Sequence, residues 1–336
     1  MRPITDVWRR GRLLRQAFGE HKTCMREVYA TADEVLQTPA GTPADYAVSM
    51  GDIPPGFYAL RRNLFSVLFM SVYFMLDIRQ ERRHLYGKLN HLFRAWVTSA
   101  DNLLDDESKV VLPLRMPGES RVMREVVAVM TADRVLSTVL SDAVEGGVIT
   151  TAESRVLLYA SLQVLLPSAA QEATEEAGVS VRPDPEYVLS TIHRYKTGML
   201  FHIPLLGPER IEHGIPRERL NALRDSLMRF GLGCQLLDDV RDVGRDLREK
   251  RHNYVLSLLS RDFPETYADC LQSEDGDRLY RRLPEVVLPT AKRGLRYMRE
   301  GLAGLDHIGL GIEKAGAEAI ATAMFKVLDL GDVEYA

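Results

Sequence analysis

Apolar residues recur every three to four positions along most of this chain, and few segments alternate as a half-buried strand would. Such a pattern leaves one economical way to bury surface, helix packed on helix. It predicts helices over 5–36, 57–79, 83–107, 120–144, 151–166, 184–203, 216–247, 253–270, 276–302 and 312–330. Breakers separate them, the longest being TPAGTPADYAVSMGDIPPG (38–56), followed by LPLRMPGE (112–119) and GVSVRPDP (178–185). There is no internal repeat and no low-complexity run. The expectation is a single all-α domain over 1–336, with N-terminal helices and an irregular segment in 1–55 and a chemistry-bearing core over 56–260.

Composition narrows the function. With 46% hydrophobic and 27% charged residues among 336, the chain can bury a large core. A formal charge of −4 argues against a dedicated nucleic-acid binder. Cys24, Cys234 and Cys270 are far apart and make no zinc pattern, which fits a reduced, cytoplasmic setting. The N-terminus MRPITDVWRRGRLLRQAFGE has no secretory core. The most apolar run, LFSVLFMSVYFML (64–76), is too short to span a bilayer and reads as a buried helix, so no stable membrane insertion is expected.

Chemistry is suggested by two acidic helices. In QLLDDVRDVGRD (235–246), Asp238, Asp242 and Asp246 project within about 80° of one another, and Gln235 falls in the same arc. In FRAWVTSADNLLDDES (93–108), Asp101 and Asp105 are one turn apart, with Arg94 near the same line and Asp106 and Glu107 following. Like charges at i,i+4 repel, and acids near a helix C-terminus oppose the helix dipole, so each arrangement is locally unfavourable. Mg²⁺ is commonly held by a few carboxylates plus phosphate oxygens and would compensate both. The competing account is two solvated acidic faces, with Arg241 and Arg245 in surface ion pairs.

Two cationic stretches add to this. IHRYKTGMLF (192–201) sets Lys196 in an apolar helix, and REKRHNYVL (248–256) sets Lys250, Arg251 and Tyr254 directly after the second acidic helix. A buried cation needs an anionic partner, which a phosphate supplies. Alternatively Lys196 snorkels from the core edge and Arg251 is a helix-end cation.

Together these segments resemble the class I isoprenoid synthases, in the trans-polyprenyl diphosphate synthase branch of the farnesyl diphosphate synthase type. DNLLD (101–105) takes the place of the first DDxxD motif, KTGMLF (196–201) that of the Lys-Thr segment and GLGCQLLDDVRD (231–242) that of GxxFQxxDDxxD. RHNYV (251–255) takes that of KxTYP. The resemblance implies a helical bundle around a central active-site cavity, an allylic prenyl diphosphate substrate, a homodimer and three Mg²⁺ ions on Asp101, Asp105, Asp238, Asp242 and Asp246. It implies diphosphate contacts from Lys196, Thr197, Arg245, Lys250, Arg251 and Tyr254, with Gln235 among the catalytic set. Arg94, Trp96 and Val97 fall where the family lines its substrate cavity, although Trp96 equally suits helix packing.

The departures matter as much. Where the family has an Arg-Arg pair for isopentenyl diphosphate, this chain has Val110-Val111, and Arg94 replaces a His or Gln. YALRRNLF (58–65) keeps Arg61 and Arg62 without the family's glycines, and Asn102 replaces the second Asp of the first motif. A reduced acceptor site implies a terpene synthase that ionises one allylic diphosphate and cyclises or deprotonates the carbocation. A trans-prenyltransferase that uses Arg61, Arg62 and Arg94 for isopentenyl diphosphate, or that takes another acceptor, is the alternative, and a non-catalytic regulatory subunit is the third.

Overall fold

The computed structural model describes residues 11–105, 108–118, 120–272 and 276–327, and the expectations for residues 1–10, Asp106, Glu107 and 328–330 lie outside them. The described residues are helical almost throughout, as the 3.6-residue period requires. The helices are α1 (Arg12–Val35), α2 (Leu60–Met75), α3 (Gln80–Leu104), α4 (Arg121–Glu145), α5 (Thr151–Gln163), α6 (Leu166–Ala173), α7 (Pro185–Tyr187) and α8 (His193–Lys196). They continue as α9 (Leu206–Ile211), α10 (Arg217–Arg248), α11 (Tyr254–Asp262), α12 (Pro264–Leu271), α13 (Pro284–Leu305) and α14 (Glu313–Val327). No helix among them is long and apolar enough to cross a membrane.

The chain divides into two compact units. One holds Arg12–Ser161 and Ile203–Gly214. Here α1 packs on α2 and α3, and α3 packs along α4. The apolar run anticipated as a buried helix is α2, whose Val67, Met70, Val72 and Tyr73 are almost wholly enclosed. The irregular 38–56 stretch is pinned by a short antiparallel pair, β1 (Ser49–Met50) and β2 (Leu114–Arg115), in the register Ser49 to Arg115 and Met50 to Leu114.

The other unit holds Leu162–His202 and Ile215 onward. Its spine is α10 lying along α13. The two backbones approach closely: a Cβ on Gly233 would stand 2.7 Å from the Gly294 carbonyl oxygen, and one on Gly301 would stand 2.6 Å from the Phe230 amide nitrogen. Any larger side chain at either place would force the helices apart.

Several expected boundaries move for local reasons. The helix expected over 184–203 is instead α7, a π turn (Val188–Ile192) and α8, after which Gly198–Leu205 is 3₁₀ around Pro204. The helix expected over 253–270 breaks at Phe263, because a residue before proline is disfavoured in the α region, and α12 restarts at Pro264. Over 276–302, a 3₁₀ segment (Gly276–Arg282) precedes α13, which begins at Pro284. Helix α6 was not anticipated; it starts beside Pro167.

Candidate functional site

In the second unit, the face of α10 carries the aspartates in three different environments. Asp238 is about one-third exposed and pairs with Arg241 at 2.6 Å. Asp242 accepts from Arg241 at 2.6 Å and from Arg245 at 2.7 Å. The anticipated ion pairs of Arg241 and Arg245 are therefore present, and they neutralise the helix face locally. Asp246 is buried; Arg245 is 3.9 Å away, and Asn253 Nδ2 donates to it at 2.8 Å. Burial, together with the charges of Asp239 and Asp242, raises its carboxyl well above the usual range against the pull of Asn253 and Lys196.

Asp239, about 100° around α10 from Asp238, is almost fully enclosed. Its carboxylate takes His193 Nε2 at 2.6 Å, the Tyr254 amide at 2.6 Å and Gln235 Nε2 at 2.9 Å. Gln235 also accepts a short hydrogen bond from Thr197 Oγ1. A continuous polar chain thus runs from Thr197 through Gln235 and Asp239 to the start of α11. Asn253 completes it: its side chain caps α11 at Leu256 N (3.1 Å) and donates to the Asp239 carbonyl (2.8 Å).

Lys196 is partly buried and lies 3.1 Å from Glu172 and 3.6 Å from Glu175. Burial disfavours its charge, but Glu175, Glu172 and Asp246 outweigh that and hold it above the ordinary lysine range. Glu175 is itself buried and accepts the His252 amide at 2.9 Å. Arg251 lies 3.9 Å from Glu249, and its carbonyl accepts a short bond from Arg182. Lys250 is exposed, in the left-handed region at φ 56° where α10 ends. The Tyr254 hydroxyl accepts from Arg293 at 2.6 Å and lies 3.4 Å from Glu186.

In the first unit, Asp101 occupies the last turn of α3, and Asp105 is its C-cap, donating its amide to the Asp101 carbonyl at 2.8 Å. Asn102, the departure from the family pattern, is buried and pins the following segment from both sides. Its Nδ2 donates to the Lys109 carbonyl at 2.7 Å and its Oδ1 accepts the Lys109 amide at 3.0 Å. A carboxylate could not donate the first of these, so the amide has a structural reason. Trp96 uses its indole N–H on the Val129 carbonyl at 2.9 Å, which holds α3 to α4; Val97 is partly buried.

A cationic feature stands out one helical turn or two before Asp101. Arg94 donates to Asn63 Oδ1 at 2.7 Å, and no carboxylate pairs with it among the described residues. Burial pulls its guanidinium below the ordinary range, and the charge of Arg62 acts in the same direction. Arg62 lies over the Phe57 ring and donates to the Val110 carbonyl at 3.0 Å, while the Val111 carbonyl accepts from Tyr29 at 3.1 Å. Where the family has two arginines, two backbone carbonyls here take donors.

No group of three His, Cys, Asp or Glu side chains poised for a metal ion occurs among the described residues. Mg²⁺ at phosphate sites is held through one or two carboxylates plus the phosphates, so the pairs Asp101/Asp105 and Asp238/Asp242 suit it chemically.

No family model matches the chain, and no curated protein matches it. Solved structures do. A geranylgeranyl pyrophosphate synthetase from the archaeon Geoglobus acetivorans is 14% identical, with a TM-score of 0.58 over 94% of this chain and 99% of that one. The fold is that of the trans-polyprenyl diphosphate synthases. An octaprenyl pyrophosphate synthase from Helicobacter pylori is 13% identical, with a TM-score of 0.59 over 90% of this chain and 99% of that one. A polyprenyl synthase from Caulobacter crescentus, complexed with calcium and isoprenyl diphosphate, is 17% identical, with a TM-score of 0.58 over 97% and 98%. The all-α isoprenoid synthase architecture expected from the sequence is therefore the one observed.

Sequence reasoning missed His193, Glu172, Glu175, Asn63 and Arg293. His193 stands three residues before Lys196 in a quoted motif and could have been flagged. The two glutamates lie between the helix expected over 151–166 and the breaker at 178–185, and nothing local ties them to Lys196.

Proposed function

We propose that this protein is a Mg²⁺-dependent trans-prenyltransferase that joins an allylic prenyl diphosphate to a second, anionic acceptor of the isopentenyl diphosphate class. The observation that carries this reading is Arg94: a partly buried guanidinium near Arg62 that no described carboxylate neutralises suits an anionic ligand. Likeness of fold to several prenyl diphosphate synthases supports it, and shifts weight from the terpene-synthase reading that Val110-Val111 first suggested.

Asp101, Asp105, Asp238 and Asp242 are the proposed Mg²⁺ ligands, with Asp246 as a weaker candidate because Asn253 already occupies it. Bound Mg²⁺ supplies charge neutralisation for the departing diphosphate. The chain's own part is to present cations and exclude water. Lys196, Arg251 and Arg245 bind diphosphate oxygens, with Lys250 peripheral, while Thr197 and Gln235 fix the wall of the site. Tyr254 contributes through its amide on Asp239, its hydroxyl being turned to Arg293. Forming the new carbon–carbon bond follows loss of diphosphate from the allylic carbon and ends with loss of a proton from the acceptor.

A homodimer is part of the proposal, supported by Val156, Tyr159 and Leu162, which α5 leaves 41%, 61% and 56% exposed. Sedimentation velocity tests it. The activity is tested by incubation with Mg²⁺ and ten-, fifteen- or twenty-carbon allylic diphosphates, with and without isopentenyl diphosphate. Longer diphosphates formed only with the acceptor are expected. Hydrocarbon or alcohol formed without it would restore the terpene-synthase reading, and no turnover under any condition would favour a regulatory subunit.

A further inference from the structure

Helix α13 carries four cations in PTAKRGLRYMRE (289–300), and the proposed reaction uses none of them. Three of these, Lys292, Arg293 and Arg296, line a cavity of about 530 Å³ together with Tyr254, Leu258 and Pro289. The charge balance there is lopsided. Glu186 is committed to Arg293 through both its oxygens, and among the described residues Arg296 has only a 4.0 Å pair with Glu300. Lys292 has no ion pair among the described residues. Arg293 is held rigidly, its guanidinium lying 5.4 Å from the Tyr254 ring and 5.7 Å from the Tyr297 ring.

Cations at i, i+1 and i+4 beside an apolar ledge form a cradle for a multivalent anion, since each partner bond to a charged oxygen is stronger than a neutral one. We infer that the cavity between α11 and α13 binds a phosphate-class dianion, free or carrying a short hydrocarbon, at a site separate from the aspartate face of α10. Leu258 and Pro289 offer the hydrocarbon a contact that the free anion does not use. The site has a route to the acidic helix: Arg293 holds the Tyr254 hydroxyl, and the Tyr254 amide holds Asp239.

The test is calorimetric titration of the full-length protein with inorganic diphosphate and with geranyl diphosphate, in chelator so that the acidic motifs take no part. An Arg94→Ala background removes the proposed acceptor site. Binding should persist there and weaken at least tenfold when Lys292→Glu and Arg296→Glu are added; both positions are exposed, so folding is preserved. A preference for geranyl over inorganic diphosphate identifies a tailed ligand, and equal affinity identifies the free anion. In the unsubstituted protein, diphosphate should slow acetylation of Lys292 relative to exposed Lys314. Absence of binding in Arg94→Ala, an unchanged affinity in the triple variant, or equal acetylation of the two lysines overturns the site.

Discussion

His193 Nε2 and Asp239 Oδ2 lie 2.6 Å apart, and solvent reaches neither residue appreciably. Two further donors reach the same carboxylate, so Asp239 organises the junction of α8, α10 and α11 instead of facing a ligand. His193→Leu should cost about 2–3 kcal/mol of stability, because a buried acceptor loses one of three partners. Urea unfolding measures this; a change below about 0.5 kcal/mol would show the contact to be incidental.

Asp238 should behave in the opposite way. It is partly exposed and forms an i,i+3 bridge to Arg241, and exposed bridges of this kind contribute little, so Asp238→Ala should move stability by no more than about 0.5 kcal/mol. Turnover should nevertheless fall by two orders of magnitude or more. A fully active Asp238→Ala protein would remove the metal role from this helix.

Lys196→Met is a poor probe alone, since it strands the enclosed Glu175 carboxylate. Breaking such a pair costs about 3–5 kcal/mol. Glu175→Gln in the same chain should restore most of that loss, and prenyl transfer measured in the folded double variant then isolates the contribution of Lys196 to diphosphate binding. Activity within threefold of the parent would leave Lys196 a purely structural cation.

Acid should weaken the first unit through two histidines. Burial lowers His21 to about 4 and His91 well below its ordinary value. The unfolded chain therefore takes up protons from pH 6.5 downward while the folded chain does not. Stability is complete above that pH and falls, by about 1.4 kcal/mol per pH unit for each fully coupled proton, as pH drops toward 4. Neither ring nitrogen of His91 has a hydrogen-bond partner among the described residues, so His91→Leu should be neutral at pH 8 and shallow the acid limb in thermal melts. An identical limb in that variant would assign the proton uptake elsewhere.

How much of this was legible depends on the range of the interaction. The helical architecture and the motif order are local patterns, and Asp238, Asp242, Lys196 and Thr197 could be picked out one segment at a time. The proline-dependent breaks at Pro264 and Pro284 were legible in principle, because the residue before each proline resists the α region. The partners that decide what each side chain does were not. Glu175 meets Lys196 across 21 residues and Arg94 meets Asn63 across 31, with no periodicity linking them. Asn102 shows the limit from the other direction: a departure that weakened the motif match has its reason in one backbone amide and one carbonyl at Lys109.

The amide of Asn253 does three tasks from a position where the resembled family carries threonine. One oxygen caps a helix, while one nitrogen serves both the Asp239 carbonyl and the carboxylate of Asp246. A hydroxyl could cap but could not span the last two together. Positions 246 and 253 are therefore bound to change as a pair during divergence: a descendant that gives up the buried acid is released from needing an amide seven residues on, and one that restores threonine leaves a carboxylate stranded.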